Sequence, residues 1–419
     1  MTGLFAATEA TGDGGNLTVE VAESLTLQDG AQISTSTLGQ GNASNLTVSA
    51  RDIELFGGVN LTESLADITA KGNGGNLFDV LYGGKYTGLF AYTIVTGNGG
   101  DLTVEAESLM LRDGAQIYAT TLSQGDAGNL NIYARSLTLQ DKAEISVEAL
   151  FEAIGAAGNV TINTETLNLR NEAQITVSSK SRRPAGESLR NSSQNATQNA
   201  TGDLIINSNN IRLENQASLQ AETQAGDKGM ITINNNKDLI LHDKSKITTN
   251  ATGTATGGNI TIKTENLVAP DNSDISANAE EASGGRVNIT ATGIFGTEFR
   301  PDQTEKSDIT ATSELGPQFN GEVNINTPDV DPSDGLIEFD DTIPDVSNLL
   351  NQNLCQQGKT ANSLSHKEEA YHRIAKTPSL PNTFGKTQKP QLLLQQPLFH
   401  QTKNSLKHKV GYPILKALN

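Results

Sequence analysis

The sequence has no tryptophan, only one cysteine, and aromatic residues at just 4% of its 419 positions. Because Cys355 is the single cysteine, a disulfide within the chain is excluded. No run of apolar residues approaches the roughly 18 that a membrane-spanning helix needs. The first residues also lack the basic start and the apolar stretch of a secretory signal. Since hydrophobic residues make up only 35% of the chain, an ordinary globular core of this length is disfavoured.

Low hydrophobicity combined with a net charge of −18 is typical of a disordered chain. Leu, Val and Ile recur at regular intervals, however, and this regularity argues against disorder. Gly occurs 40 times, and Asn and Thr are abundant. We therefore expect a folded chain whose few apolar residues form a thin, regular core.

A short pattern recurs along the chain: a Gly-containing turn, then in most copies Asn or Asp, then an apolar residue. The apolar residues that align in this way are Leu17, Leu46, Leu77, Leu102, Leu130, Val160, Leu204, Ile231, Ile260, Val287 and Val323. Their spacing is about 28 residues with some insertions, and such a period predicts a solenoid.

Each repeat contains two short segments in which apolar and polar residues alternate, which is the pattern of β-strands. In NLTVEVAESLTLQDGAQISTS, for example, Leu17, Val19 and Val21 share one face. Such a unit cannot bury its apolar face alone, so successive units must stack strand on strand. The sequence therefore predicts a right-handed parallel β-helix of about eleven coils over residues 1–341.

Asn or Asp precedes most of the aligned apolar residues, at a corner where Gly allows a sharp bend. The residues that share this position are Asn16, Asn45, Asn76, Asp101, Asn129, Asn159, Asp203 and Asn259. Because equivalent residues of a solenoid lie above one another, we expect a polar ladder along one corner of the rod.

Two insertions, at 81–92 and 179–201, are expected to interrupt the rod. From Leu349 onward the chain has ten Lys and Arg against two acidic residues, so residues 1–348 carry a net charge of about −26. The repeat pattern is absent there, and we expect 342–419 to be a basic, mostly unstructured tail.

The repeats, as in GNGGDLTVEAESLMLRDGAQI, resemble those of the secreted filamentous-haemagglutinin-like exoproteins of cyanobacteria. The segment from Gly284 to Asp341 is similar to the end of the β-helix in that family. The resemblance implies two-partner secretion, with an outer-membrane transporter as partner, and an extracellular or outer-surface location. This chain lacks the signal peptide and secretion domain of the family, so we expect it to be a fragment of a longer protein.

The resemblance implies an adhesin-type structural role, without catalysis, cofactor or metal, and with surface glycans or other cells as partners. A nucleic-acid partner is disfavoured because phosphate would be repelled by the acidic repeats. The aromatic residues Phe78, Tyr82, Tyr86, Phe90 and Tyr92 form a candidate contact surface. The alternative is that they pack against the coil beneath them.

A polysaccharide lyase or hydrolase is the alternative function, because a β-helix can also carry such sites. A hydrolase needs two suitably spaced carboxylates, and a lyase needs a basic residue near groups that neutralise a uronate. The acidic candidates are Asp271, Asp274, Glu280 and Glu281, together with Glu298, Asp302 and Glu305 near Arg300. None of them breaks the repeat pattern, so a solvated face is the favoured interpretation. Calcium at the GDGGNL corner is disfavoured, since the period is about 28 residues rather than nine.

Overall fold

The computed structural model describes residues 2–59, 86–122, 125–151, 155–181, 201–224 and 229–328. These residues lie in the first of two compact units, Met1–Leu336. The second unit, Ile337–Asn419, lies outside the described residues, as does the predicted basic tail.

The described part of the chain is built from two sheets in which every strand pairing is parallel. Sheet A holds the shorter strands, in the order β1 (Thr2–Thr8), β3 (Ala31–Thr37), β5 (Gly88–Thr93), β7 (Gln116–Thr121), β9 (Glu144–Phe151), β11 (Gln174–Ser181), β14 (Ser218–Thr223), β17 (Lys246–Thr248), β19 (Asp274–Ser276), β22 (Asp308–Thr310) and β21 (Glu298–Phe299).

Sheet B holds mainly longer strands, some of them divided in two. They are β2 (Leu17–Gln28), β4 (Leu46–Phe56), β6 (Leu102–Arg112), β8 (Leu130–Gln140), β10 (Val160–Arg170), β12 (Asp203–Ser208), β13 (Asn210–Glu214), β15 (Met230–Asn235), β16 (Asp238–His242), β18 (Asn259–Val268), β20 (Arg286–Phe295) and β23 (Glu322–Asn326). A 3₁₀ turn at Pro317–Phe319 is the only helical element of the described residues, and none of their helices could cross a membrane.

Successive coils stack in register, so that equivalent residues lie directly above one another. Leu102 pairs with Leu130, and Leu130 pairs with Val160. All three side chains are fully buried. Their neighbours along each strand point outward and are partly exposed, as a period of two requires. The parallel β-helix predicted from the repeats is therefore confirmed, with a core of stacked aliphatic ladders.

The Gly-Gly corners owe their glycines to close approach between coils. A Cβ atom on Gly128 would lie 2.0 Å from the carbonyl oxygen of Gly100, and one on Gly158 would lie 2.1 Å from that of Gly128. No side chain fits at such distances. The backbones can therefore stack at this corner only because both coils carry glycine there.

The second corner bends through two consecutive residues in the left-handed conformation. In one coil these are Asp141 and Lys142, with φ of 55° and 63°, and in another they are Asp243 and Lys244. Asp and Asn tolerate this conformation better than other residues with a side chain. This tolerance explains why the first of the two positions is Asp or Asn in coil after coil.

The structure corrects some of the predicted repeat boundaries. Strand β4 pairs directly with β6, with Leu46 opposite Leu102. The repeat aligned on Leu77 therefore does not form a separate coil between these two strands. Residues 88–92 belong to β5 and residues 179–181 to β11, so the two predicted insertions are shorter than 81–92 and 179–201. The strand pattern in those segments is hard to recognise in the sequence, because the outward positions carry aromatic residues in one segment and the residues around the other are polar. The rest of both insertions, apart from residues 86, 87 and 201, lies outside the described residues.

Candidate functional site

The polar corner predicted from the sequence forms a continuous ladder over six coils. In each step, a side-chain oxygen accepts a hydrogen bond from the backbone N–H of the equivalent residue in the next coil, at 2.8–3.1 Å. The members are Asn16, Asn45, Asp101, Asn129, Asn159 and Asp203. The ladder satisfies donors that the turn leaves unpaired, so it supports the corner rather than forming an open binding site.

The ladder ends at Asp203, because Met230 occupies the next position. Beyond that point, the backbone carbonyls of preceding glycines accept the equivalent N–H groups. Gly229 O accepts from Asn259, and Gly258 O accepts from Arg286. The side-chain oxygen of Asn259 is buried and has no hydrogen-bond partner. The prediction is thus wrong for Asn259, and Asn76 lies outside the described residues.

The described aromatic residues of the predicted contact surface are buried. Tyr86, Phe90 and Tyr92 are 3%, 3% and 4% exposed. The ring of Phe90 meets that of Tyr118 edge to face, with centroids 6.1 Å apart. These three rings contribute packing rather than exposed surface. Phe78 and Tyr82 lie outside the described residues, so the complete five-residue surface stays a prediction.

Most of the acidic candidates are held in local contacts. Asp271 pairs with His242 at 3.0 Å, and Glu280 accepts a hydrogen bond from Gly253 N–H at 2.9 Å. Arg300 donates to both Glu298 and Asp308. Asp302, Glu281 and Glu305 are exposed. The acids in contact thus hold neighbouring residues in place, and the three exposed acids fit the predicted solvated face.

Asp274 differs from the other acidic candidates, because its side chain is 3% exposed and faces the outer side of sheet A. Burial raises the pKa of Asp274, and the hydrogen bond from Asp308 N–H partly opposes that rise. Lys246 stands at the equivalent position one coil before. Among the acidic candidates named above, Asp274 is thus the one whose pKa is raised by burial.

An open groove runs along the outer side of sheet A beside the left-handed corner. It spans five coils, and its lining side chains are all polar or charged: Lys142, Glu172, Gln174, Gln216, Ser218, Gln220, Lys244, Lys246 and Asn272. We call these nine residues the lysine–glutamine groove. One column is formed by the second left-handed residue of each corner, and the other by the equivalent strand positions Gln174, Ser218 and Lys246. Gln220 belongs to a third column.

The electrostatics of the lysine–glutamine groove contrast with those of the acidic chain. Lys142 and Glu172 form an exposed ion pair with a nitrogen–oxygen distance of 3.6 Å. Lys244 and Lys246 are exposed, and neither makes an ion pair within 4.0 Å in the described part of the chain. The groove thus offers ammonium and amide donors to a ligand on the surface of the rod.

This groove is not among the sites predicted from the sequence. Its signal is present in the aligned segments LQDKAEI, LRNEAQI, LENQASL, LHDKSKI and PDNSDI, where polar residues flank a small residue at equal spacing. The alternating pattern marks only the apolar positions. The column that these polar residues form becomes visible in the sequence only when the corners of successive coils are placed side by side.

No three His, Cys, Asp or Glu side chains of the described ranges lie together as ligands of a metal ion. Comparison of the chain with family models, with curated proteins and with solved structures gave no match.

Proposed function

We propose that the chain is an adhesin-type structural protein that acts by presenting a long, repetitive polar surface. The observation that carries the proposal is the in-register stacking of the coils, which repeats the same outward columns along the rod. A surface of this kind offers many equivalent contacts to a repetitive partner, such as a glycan coat or another cell. Multiple weak contacts then add up to firm attachment.

Export through an outer-membrane transporter of a two-partner system is part of the same proposal. It is supported by the resemblance of the repeats, and above all of the segment from Gly284 to Asp341, to exported filamentous-haemagglutinin-like proteins. The parallel β-helix itself suits export, because each coil can add to the one before it by local stacking. The parent protein would then act at the outer cell surface.

The proposal is tested with the purified full chain on immobilised bacterial envelopes and on soluble polysaccharides. We expect saturable retention on the envelopes and no decrease in the length of any polysaccharide. An absence of retention on every surface would overturn the adhesin proposal. The variant Lys237→Gln, which changes one exposed residue of the rod, is the control, and its retention on the envelopes should equal that of the wild-type chain.

A second candidate function is cleavage of an acidic polysaccharide, and Asp274 is the observation that favours it. Its raised pKa suits a general acid, and Lys246 beside it could neutralise a uronate. The test is the rise in ultraviolet absorbance when the full chain acts on uronate polymers, or the release of reducing ends. Turnover that Asp274→Asn abolishes would replace the structural proposal with an enzymatic one.

A further inference from the structure

We infer that the lysine–glutamine groove binds an extended polysaccharide through its carboxylate groups, as in a polymer of uronic acids. This inference rests on the proposed adhesin function and assigns it a ligand class. The groove runs parallel to the rod axis and crosses five coils, from that of Lys142 to that of Asn272. At the usual spacing between strands, four steps span roughly 19 Å, which is long enough for a stretch of several sugars.

The charge of the groove selects an anionic ligand. Among the lining residues three are lysines and one, Glu172, is a carboxylate, whereas the whole chain has a net charge of −18. Glu144 and Asp274 stand in the same column at its two ends, but both side chains are buried. A polyanion is therefore repelled by most of the repeat surface and attracted at this place. Lys244 and Lys246 lie in the same coil, and they are the two cations without an ion pair within 4.0 Å among the described lining residues.

The remaining lining groups select a sugar chain among anionic polymers. Gln174, Gln216 and Asn272 carry amides that donate and accept hydrogen bonds, as sugar hydroxyls require. Gln220 donates to the Ser218 hydroxyl at 2.9 Å, which holds its amide beside the groove. The lining contains no aromatic ring on which a base could stack, so single-stranded nucleic acid is a poorer fit.

The polar groups of the groove repeat from coil to coil, as the units of a polymer do. Gln174, Ser218 and Lys246 stand in register on three successive strands, so polar groups recur at each coil. An extended polysaccharide also repeats its carboxylates along its length at regular intervals. Roughly one sugar per coil could therefore meet equivalent polar groups, and contacts made at several coils act together.

The test measures binding of polygalacturonate fragments to the full chain by calorimetry, at low and at physiological salt. The groove variant is Lys244→Gln with Lys246→Gln. Its matched control is Lys237→Gln with Lys263→Gln, which removes the same charge from exposed positions outside the groove. We expect the groove variant to bind at least about tenfold more weakly and the control to change little. Urea unfolding of each variant verifies that the fold is intact.

Several outcomes would overturn the inference: no binding by the wild-type chain, equal loss in the groove and control variants, or tighter binding of single-stranded DNA than of polygalacturonate. Binding of a neutral glucan with equal affinity would also overturn it. These results are distinct from failure of the proposed function. Envelope retention that survives the groove variant leaves the adhesin proposal standing, whereas shortening of the fragments contradicts that proposal without removing the groove.

Discussion

The coils up to Asp203 and the coils after it share one inner core but differ in their outer surface. The core ladder continues through Ile117 in the first region and Ile247 in the second, both fully buried. On the outer side of sheet A, Gln116 and Glu144 are buried in the first region. In the second region the same column contains the exposed Lys246, which stands between the buried Ser218 and Asp274.

The two regions also differ at the Gly-rich corner. Side-chain oxygens accept the next coil's N–H in the first region, for example Asn129 Oδ1 from Asn159 at 3.0 Å. Backbone carbonyls do so in the second region, for example Gly229 O from Asn259 at 3.1 Å. The stacked core therefore specifies the solenoid in both regions, whereas the residues at the corners and on the outer face can differ from coil to coil. Function is therefore to be sought in the divergent columns.

The largest difference between the regions in the stability lost on substitution is expected where a large side chain is buried on the outer face. Phe90 and Gln220 occupy the same outward column. Phe90→Ala should destabilise the chain by about 3 kcal/mol, because it removes a buried ring that packs on Tyr118. Gln220→Ala should stay within about 0.5 kcal/mol. Urea unfolding followed by circular dichroism measures both, and equal effects would show that the outer faces do not differ in packing.

Much of this fold could be predicted from the sequence, because a solenoid repeats its signal. Leu102, Leu130 and Val160 were aligned by the pattern of a Gly-containing turn followed by Asn or Asp, and the structure stacks them in register. The corner ladder followed from the same alignment. The coil predicted between those of Leu46 and Leu102 is absent from sheet B, because a local Gly-Asn-Leu match does not reveal whether a strand pairs with its neighbours.

The candidate site could not be predicted in the same way. Lys142, Lys244 and Lys246 are far apart in sequence and carry no apolar period, so nothing in the linear pattern marks them as neighbours. Their proximity depends on coil length, which insertions change from one repeat to the next. The burial of Phe90 was equally hidden, since an aromatic residue among polar neighbours is compatible with either an exposed or a covered face.

A smaller difference is expected at the corner. Asn129→Ala removes the acceptor of the Asn159 N–H and a donor to Asp101, so we expect a loss of about 1 kcal/mol. Asn259→Ala is the matched variant at the equivalent corner, where the side-chain oxygen has no partner. Its loss should be clearly smaller. The free energies of urea unfolding decide the comparison, and an equal loss at Asn259 would show that the ladder adds no stability of its own.

The smallest effect is expected at Asp203, where the ladder ends. Burial raises the pKa of the Asp203 carboxyl, and the hydrogen bond from Met230 N–H partly opposes that rise. Because the folded state holds its proton to higher pH than the unfolded state, this group lowers stability as pH rises from its ordinary value of 3.8 through the folded pKa. Asn keeps an oxygen for the Met230 N–H but cannot ionise.

Asp203→Asn should therefore raise the midpoint of urea unfolding slightly at pH 7, and the gain over wild type should shrink as pH falls from the folded pKa of Asp203 to 3.8 and be lost below that value. Midpoints measured at half-unit steps between pH 3 and pH 7 give this difference directly. Parallel curves for the two proteins would show that the partly buried Asp203 carboxylate does not lower stability. In that case, Asp and Asn would be equally stable at the last position of the ladder. The difference between the two regions at this corner would then reflect backbone geometry and not the charge of the side chain.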